Sequence, residues 1–269
     1  MKNYWVAVGV MAGFCQGGGV GKCIAEWIID GEPSIDVWAM DVARFGDYAS
    51  PQYGTIKSSE NYERRFIMTF PNETLPKGRK QKTTSLYDRF INQGAVMGDS
   101  FGLENVLWFA NNKEDAHEEP TIKRSRSHDY VSKEVINVRE NVGMIELANF
   151  SKHEFKGPDA RIFLDHIMAG KIQKHGRISL SPMLSYRGKL CGDLTVACLD
   201  ENEFMVFGSG AAQEMHRRWF ESHLGKFNLN YKNRSDEYHG LSIAGPNSRK
   251  VLEKIVRDDV SNEKFKFRD

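Results

Sequence analysis

At 269 residues the chain has enough material for one large domain or two moderate ones. Its 37 Lys and Arg offset 36 Asp and Glu to a net charge of +1, so no overall electrostatic pull toward nucleic acid or an anionic membrane is expected. No apolar run approaches the ~18 residues of a membrane span, and the first residues lack the basic start and long apolar stretch of a signal peptide.

The apolar run Tyr4-Trp5-Val6-Ala7-Val8-Gly9-Val10 reads as a buried strand. Gly13-Phe14-Cys15-Gln16-Gly17-Gly18-Gly19-Val20-Gly21 then reads as a loop, and Lys22 to Ile29 as a helix stopped by Gly31 and Pro33. Strand, glycine loop and helix together bring backbone N–H groups against an anionic or carbonyl-bearing ligand. The P-loop pattern fails, because Gln16 stands where its first glycine belongs and Cys23 where its Mg²⁺-binding hydroxyl belongs. Gly19, Gly21 and Ala25 loosely echo a dinucleotide fingerprint, but no second strand ending in an acidic residue follows. A tight strand–helix turn and a ligand-facing loop both remain open.

Ile35 to Met40 reads as an extended piece. Ser59-Glu60-Asn61-Tyr62-Glu63-Arg64-Arg65 reads as a helix start, and the basic run Lys77 to Lys82 as a solvated loop. Val106 to Ala110 closes this block, and the charge-dense stretch 111–132 reads as a linker. Beyond it, apolar spacing predicts a helix over Ser132–Val142 and a short strand over Met144–Ala148. A helix over Ala160–Met168 opens at Gly157-Pro158-Asp159. Ile178–Leu184, Asp193–Leu199 and Phe204–Phe207, joined by turn residues, form an antiparallel meander. A helix over Ala211–Leu224, a strand over Leu241–Ala244 and a last helix through Val256 complete an α+β pattern.

Four cysteines (Cys15, Cys23, Cys191, Cys198) show no CxxC spacing and have no His cluster beside them, so they read as buried free thiols in a reducing compartment and not as a metal site. The eight His residues are scattered; His216 and His223 stand seven apart on one helix and can share a face. Asp193 stands at the edge of an apolar strand after Leu190-Cys191-Gly192. A carboxylate there can stabilise a cationic amine or iminium or move a proton, and it can equally cap a turn.

Taken in order, these segments resemble one family over nearly the whole chain. Gly17-Gly18-Gly19-Val20-Gly21-Lys22, Ala25-Glu26-Trp27-Ile28, Gly31-Glu32-Pro33 and Arg44-Phe45-Gly46 look like the end of the flavin domain of dimethylglycine and sarcosine dehydrogenases. The block from Tyr53 to Trp108, with Gly94-Ala95-Val96-Met97-Gly98 and Glu104-Asn105-Val106-Leu107-Trp108-Phe109, resembles their central domain. From about Asn111 the chain resembles their folate-binding aminomethyltransferase domain, similar to the glycine-cleavage T-protein. Val138-Arg139-Glu140-Asn141-Val142-Gly143, Phe155-Lys156-Gly157-Pro158-Asp159-Ala160, Pro182-Met183-Leu184, Gly188-Lys189, Asp193-Leu194-Thr195-Val196 and Gly240-Leu241-Ser242-Ile243-Ala244-Gly245-Pro246 carry that likeness.

The resemblance implies an α+β fold in three parts: residues 1–50 as the end of an FAD domain, 51–110 as a central domain, and 111–269 as the front of the folate domain. It implies FAD and tetrahydrofolate as cofactors, an N-methylated amine as substrate, an electron-accepting partner, and a place in the cytoplasm or, in a eukaryote, the mitochondrial matrix. Gly17, Gly18, Gly19, Val20 and Gly21 would lie against the flavin, Met183, Leu184 and Asp193 against the folate, with Asp193 the catalytic carboxylate. Leu180 departs from the family, which often carries a tyrosine there. The missing dinucleotide fold before the glycines, and the stop at Asp269, lead us to expect an internal piece of a longer enzyme. A folate-dependent transferase without redox activity and a non-catalytic folate-binding module are the alternative readings.

Overall fold

The computed structural model describes residues 3–10 and 13–269. The chain divides into two compact units, one ending at Arg44 and the other running Phe45–Asp269.

In the first unit α1 (Phe14–Asp30) starts after Gly13, at φ 58°, and stops on Gly31, at φ 82°, whose N–H donates to the Trp27 carbonyl. The strand expected over Tyr4–Val10 does not form. A strand with no neighbour cannot satisfy its backbone donors and acceptors, and the segment instead packs Trp5 against Trp27, with ring centroids 5.5 Å apart and tilted by 60°. The glycine loop is also absent, because Gly17 to Gly21 lie inside α1. From Gly17 onward their N–H groups are spent on helical hydrogen bonds, and the Gln16 N–H donates to the Gly13 carbonyl, which leaves donors free only at the start of the first turn. A 3₁₀ turn, Trp38–Met40, replaces the end of the expected extended piece, since the Asp36 and Asp41 carboxylates accept from the N–H groups of Trp38 and Ala43.

The second unit begins with α2 (Pro51–Glu63), capped by Ser50, whose Oγ accepts from Tyr53 N at 3.2 Å with Pro51 in the first turn. This helix starts well before the expected Ser59. The basic run after it is not a free solvated loop. The Lys77 N–H and the Lys57 ammonium both bind buried Glu60 (2.8 and 2.6 Å). The Arg79 guanidinium pairs with buried Glu104.

Next come α3 (Tyr87–Asn92) and the hairpin of β1 (Ala95–Ser100) and β2 (Leu103–Phe109), turned by Phe101 and Gly102, both at positive φ. The expected linker ends inside α4 (Ser127–Glu140), which stacks Tyr130 on buried Trp108 at 5.0 Å. Within it Asp115 accepts from the Tyr130 hydroxyl and pairs with Arg126, so this stretch is folded against its neighbours.

The rest of the unit holds β3 (Gly143–Glu146), β4 (Ser151–Lys156), α5 (Ala160–Ile167), β5 (Arg177–Leu184), β6 (Leu190–Asp200), β7 (Glu203–Gly208), α6 (Gln213–Leu224), β8 (Asn230–Asn233), β9 (Leu241–Ala244) and α7 (Ser248–Leu252). The meander and the helices beside it form where expected, although α7 stops short of Val256. β3 and β9 make a separate antiparallel pair. β5-β6-β7-β4-β8, in that spatial order, form an antiparallel sheet.

One face of this sheet packs on α5 and α6 through Phe155, Phe163, Phe204 and Phe220, all fully buried. Each such ring contributes about 1.5–3 kcal/mol by leaving water. Only Cys198 of the four cysteines is buried; Cys15 is exposed and Cys23 and Cys191 are half-buried. The latter two sit at a helix surface and a strand irregularity, not in the core, which corrects the expectation of four buried thiols.

Candidate functional site

The β5–β6 hairpin carries the residues singled out in the sequence. Its turn closes through Ser185 N–H to the Lys189 carbonyl (2.8 Å) and Gly188 N–H to the Ser185 carbonyl (2.9 Å), with Gly188 at φ 74°. The register pairs Pro182 with Asp193, Met183 with Gly192, and Leu184 with Leu190. Cys191 is therefore an extra residue on β6, a bulge that bends the strand and increases its twist.

Alternation then sorts the side chains. Met183, Leu194, Val196 and Cys198 enter the core beneath the helices. Asp193 is exposed on the opposite face, as are Leu180 (58%), Leu184 (38%) and Ile178 (37%), with Pro182 and Thr195 between them. The hairpin thus brings Leu184 and Asp193 to one surface. Met183 points to the other, where it supports the backbone beneath them. A row of exposed aliphatic side chains beside a carboxylate suits a flat, heteroaromatic ligand that carries N–H donors.

The side chains behind the hairpin come from α6 and were not singled out in the sequence beyond their spacing. His216 is buried, and its Nε2–H donates to the carbonyl of the bulged Cys191 (3.3 Å). Its ring occupies the space left by two glycines, since a Cβ on Gly192 would lie 2.7 Å from Nε2 and one on Gly208 3.0 Å from Nδ1. Burial pushes its pKa down, partly offset by the Cys191 carbonyl.

One turn of helix beyond Trp219, His223 donates from Nδ1 to the Trp219 carbonyl (2.7 Å). Its Nε2 therefore accepts from the Tyr186 hydroxyl at the hairpin tip (2.9 Å). Among the described residues no group of three His, Cys, Asp or Glu side chains is arranged to hold a metal ion.

Gly17, Gly18, Gly19, Val20 and Gly21 belong to the first unit. A Cβ on any of these glycines would meet no atom within 4 Å, and α1 buries none of its residues. The helix surface there is open backbone, available for close approach.

Two family descriptions match the chain: the GCVT N-terminal domain over residues 86–269 and the FAD dependent oxidoreductase central domain over residues 30–84. The chain belongs to the GCVT N-terminal domain family. It is 35% identical to mitochondrial dimethylglycine dehydrogenase of Mus musculus over 99% of its own length and 31% of that protein. Mitochondrial sarcosine dehydrogenase of Homo sapiens is 26% identical over 99% of this chain and 34% of its own. The chain spans about a third of the length of these relatives. Over 64% of this chain the fold is similar to that of glycine cleavage system aminomethyltransferase T from Bartonella henselae, which superimposes with a TM-score of 0.54 at 22% identity over 43% of its own length.

Proposed function

We propose that this chain forms part of a flavin-dependent N-methylamine dehydrogenase of the dimethylglycine or sarcosine type, which passes its one-carbon unit to tetrahydrofolate. In this reading residues 1–50 close the FAD domain, 51–110 form the central domain, and 111–269 form the front of the folate domain. Flavin, when bound, supplies oxidation of the N-methyl amine to an iminium, and tetrahydrofolate supplies the nitrogens that take up the one-carbon unit.

The observation that carries the proposal is the exposed aliphatic surface of the bulged hairpin with the Asp193 carboxylate at its edge. Asp193 accepts a hydrogen bond from a folate N–H and holds the positive charge that develops on nitrogen during transfer. Leu184 lies under the flat ring, and Met183 fixes the strand from the core side. At the other end of the chain, the bare backbone of Gly17–Gly21 and the free N–H groups in the first turn of α1 fit close contact with an extended cofactor such as FAD. The substrate is a small N-methylated amine, with electrons leaving to a separate acceptor. The compartment is the cytoplasm, or the mitochondrial matrix in a eukaryote.

Calorimetric titration of the chain with 5-formyltetrahydrofolate tests the folate part directly. Saturable binding is expected, weakened about tenfold or more in Asp193→Asn, the loss of one charge-assisted hydrogen bond. Equal affinity in the two proteins, or no binding to either, would contradict it.

A further inference from the structure

His216 and His223 share one face of α6, and each meets the β5–β6 hairpin at a different point. His216 binds the carbonyl of Cys191, the residue that forms the bulge, two positions before Asp193. His223 accepts from Tyr186, two positions after Leu184, and its ring packs at a tilt against Trp219 at 4.4 Å while Trp219 lies 5.8 Å from Tyr186. The two attachments, at Tyr186 and Cys191, therefore both fall in the chain between the two folate-face residues, Leu184 and Asp193, and tie that part of the hairpin to a single helix.

The attachment at the bulge is built, not incidental. Gly192 and Gly208, on neighbouring strands, leave a slot that an imidazole fills and that any Cβ would close. The carbonyl partner fixes the Nε2–H tautomer at His216, and the Trp219 carbonyl fixes the Nδ1–H tautomer at His223. Each ring is thereby committed to one role: a donor at the bulge, an acceptor at the tip. A bulge re-aims the side chains on either side of it, so the groups that hold its backbone set the direction of Asp193 and Leu184.

We propose that α6 is a positioning element for the folate face: His216 and His223 hold the hairpin at its bulge and at its tip and so fix where Leu184 and Asp193 point. The proposal rests on the folate reading above. It adds residues that touch no ligand and act through the hairpin.

The test uses the full chain with 5-formyltetrahydrofolate as probe, measuring affinity, thermal midpoint and amide hydrogen exchange. Tyr186→Phe removes one hydroxyl from a side chain that is 88% exposed, so its fold is not at risk. We expect about fivefold weaker binding, faster exchange over residues 185–192 and an unchanged thermal midpoint. His223→Leu is expected to match it, and the double variant to lose no more than either single one.

At the bulge, His216→Leu is expected to weaken binding about tenfold, while His216→Gln, which keeps a donor near Nε2, stays within about twofold of the parent. Should His216→Leu fail to fold, Tyr186→Phe and His223→Leu decide the matter. If Asp193→Asn weakens binding and Tyr186→Phe and His223→Leu bind as the parent does, the positioning role is overturned and the folate reading stands. If Asp193→Asn also binds as the parent does, the folate reading fails and the inference falls with it.

Discussion

His153 shows how single residues set the terms of this core. It is fully buried in β4, with Nδ1 sharing a hydrogen bond with the Tyr231 hydroxyl (2.8 Å) and Nε2 without a partner. Burial lowers its pKa from 6.5 to about 3, with nearby His216, Arg217 and Lys152 adding to the effect. A proton on Nε2 would have no acceptor and would sit among Phe220, Tyr231 and His216. The unfolded chain takes up that proton near pH 6.5, whereas the folded one resists until about pH 3. Stability from this residue is therefore complete above pH 6.5 and is lost as pH falls toward 3, at up to about 1.4 kcal/mol per pH unit. Urea unfolding at a series of pH values should show this slope, and His153→Gln should remove one proton's share of it. Equal slopes in the two proteins would refute the assignment.

The same strand explains what was illegible in the sequence at this scale. Ser151-Lys152-His153-Glu154-Phe155-Lys156 is mostly polar, yet it is a central strand. Several of its polar groups are met, some of them by residues far along the chain, while Ser151 Oγ and His153 Nε2 have no partner. Lys152 donates through Nζ to the carbonyls of Ala148 and Phe150, its N–H reaches the Ser235 hydroxyl, and Arg234 pairs with Glu154. Each donor and acceptor that is met lowers the cost of burying such a strand, and no local pattern announces a partner 80 positions away.

Among the elements, α2 depends on its cap more than on its interior. It carries Gly54 and Thr55 early in its length and buries only Tyr53 and Glu60. Ser50→Ala should cost about 1 kcal/mol, the usual worth of an N-cap hydroxyl, read as a shift of the denaturation midpoint; an unchanged midpoint would show that Glu60 and its lysine partners hold the helix alone.

Elements whose own periodicity decides their state were legible. α5, with Pro158 before it and four buried apolar residues on one side, formed within a residue of expectation, as did β5 and β9. Elements whose state depends on neighbours were not. The run Tyr4–Val10 has strand composition but lacks a strand beside it, and four closely spaced glycines proved compatible with helix once Gly13 and Gly31 supplied its ends. At the candidate site the sequence made Asp193 and Leu184 visible. The bulge at Cys191, the two glycines that admit His216 and the Tyr186–His223 bond depend on strand register and could be seen only as a seven-residue spacing.

For the whole molecule, the fold and family follow from matching segments kept in order, not from any one motif. The GCVT N-terminal domain match begins at residue 86 and takes in the β1–β2 hairpin. β2 and α4 share a small apolar cluster around Trp108. Among the described residues no helix is long and apolar enough to cross a membrane.

The proposed folate site lies on the Asp193 face of the five-stranded sheet. A crystal structure of the chain grown with 5-formyltetrahydrofolate measures this most directly. The flat ring is expected over Leu184 and Pro182, with one of its N–H groups within about 3 Å of an Asp193 carboxylate oxygen. A ligand bound elsewhere, or on this face without a hydrogen bond to Asp193, would contradict it.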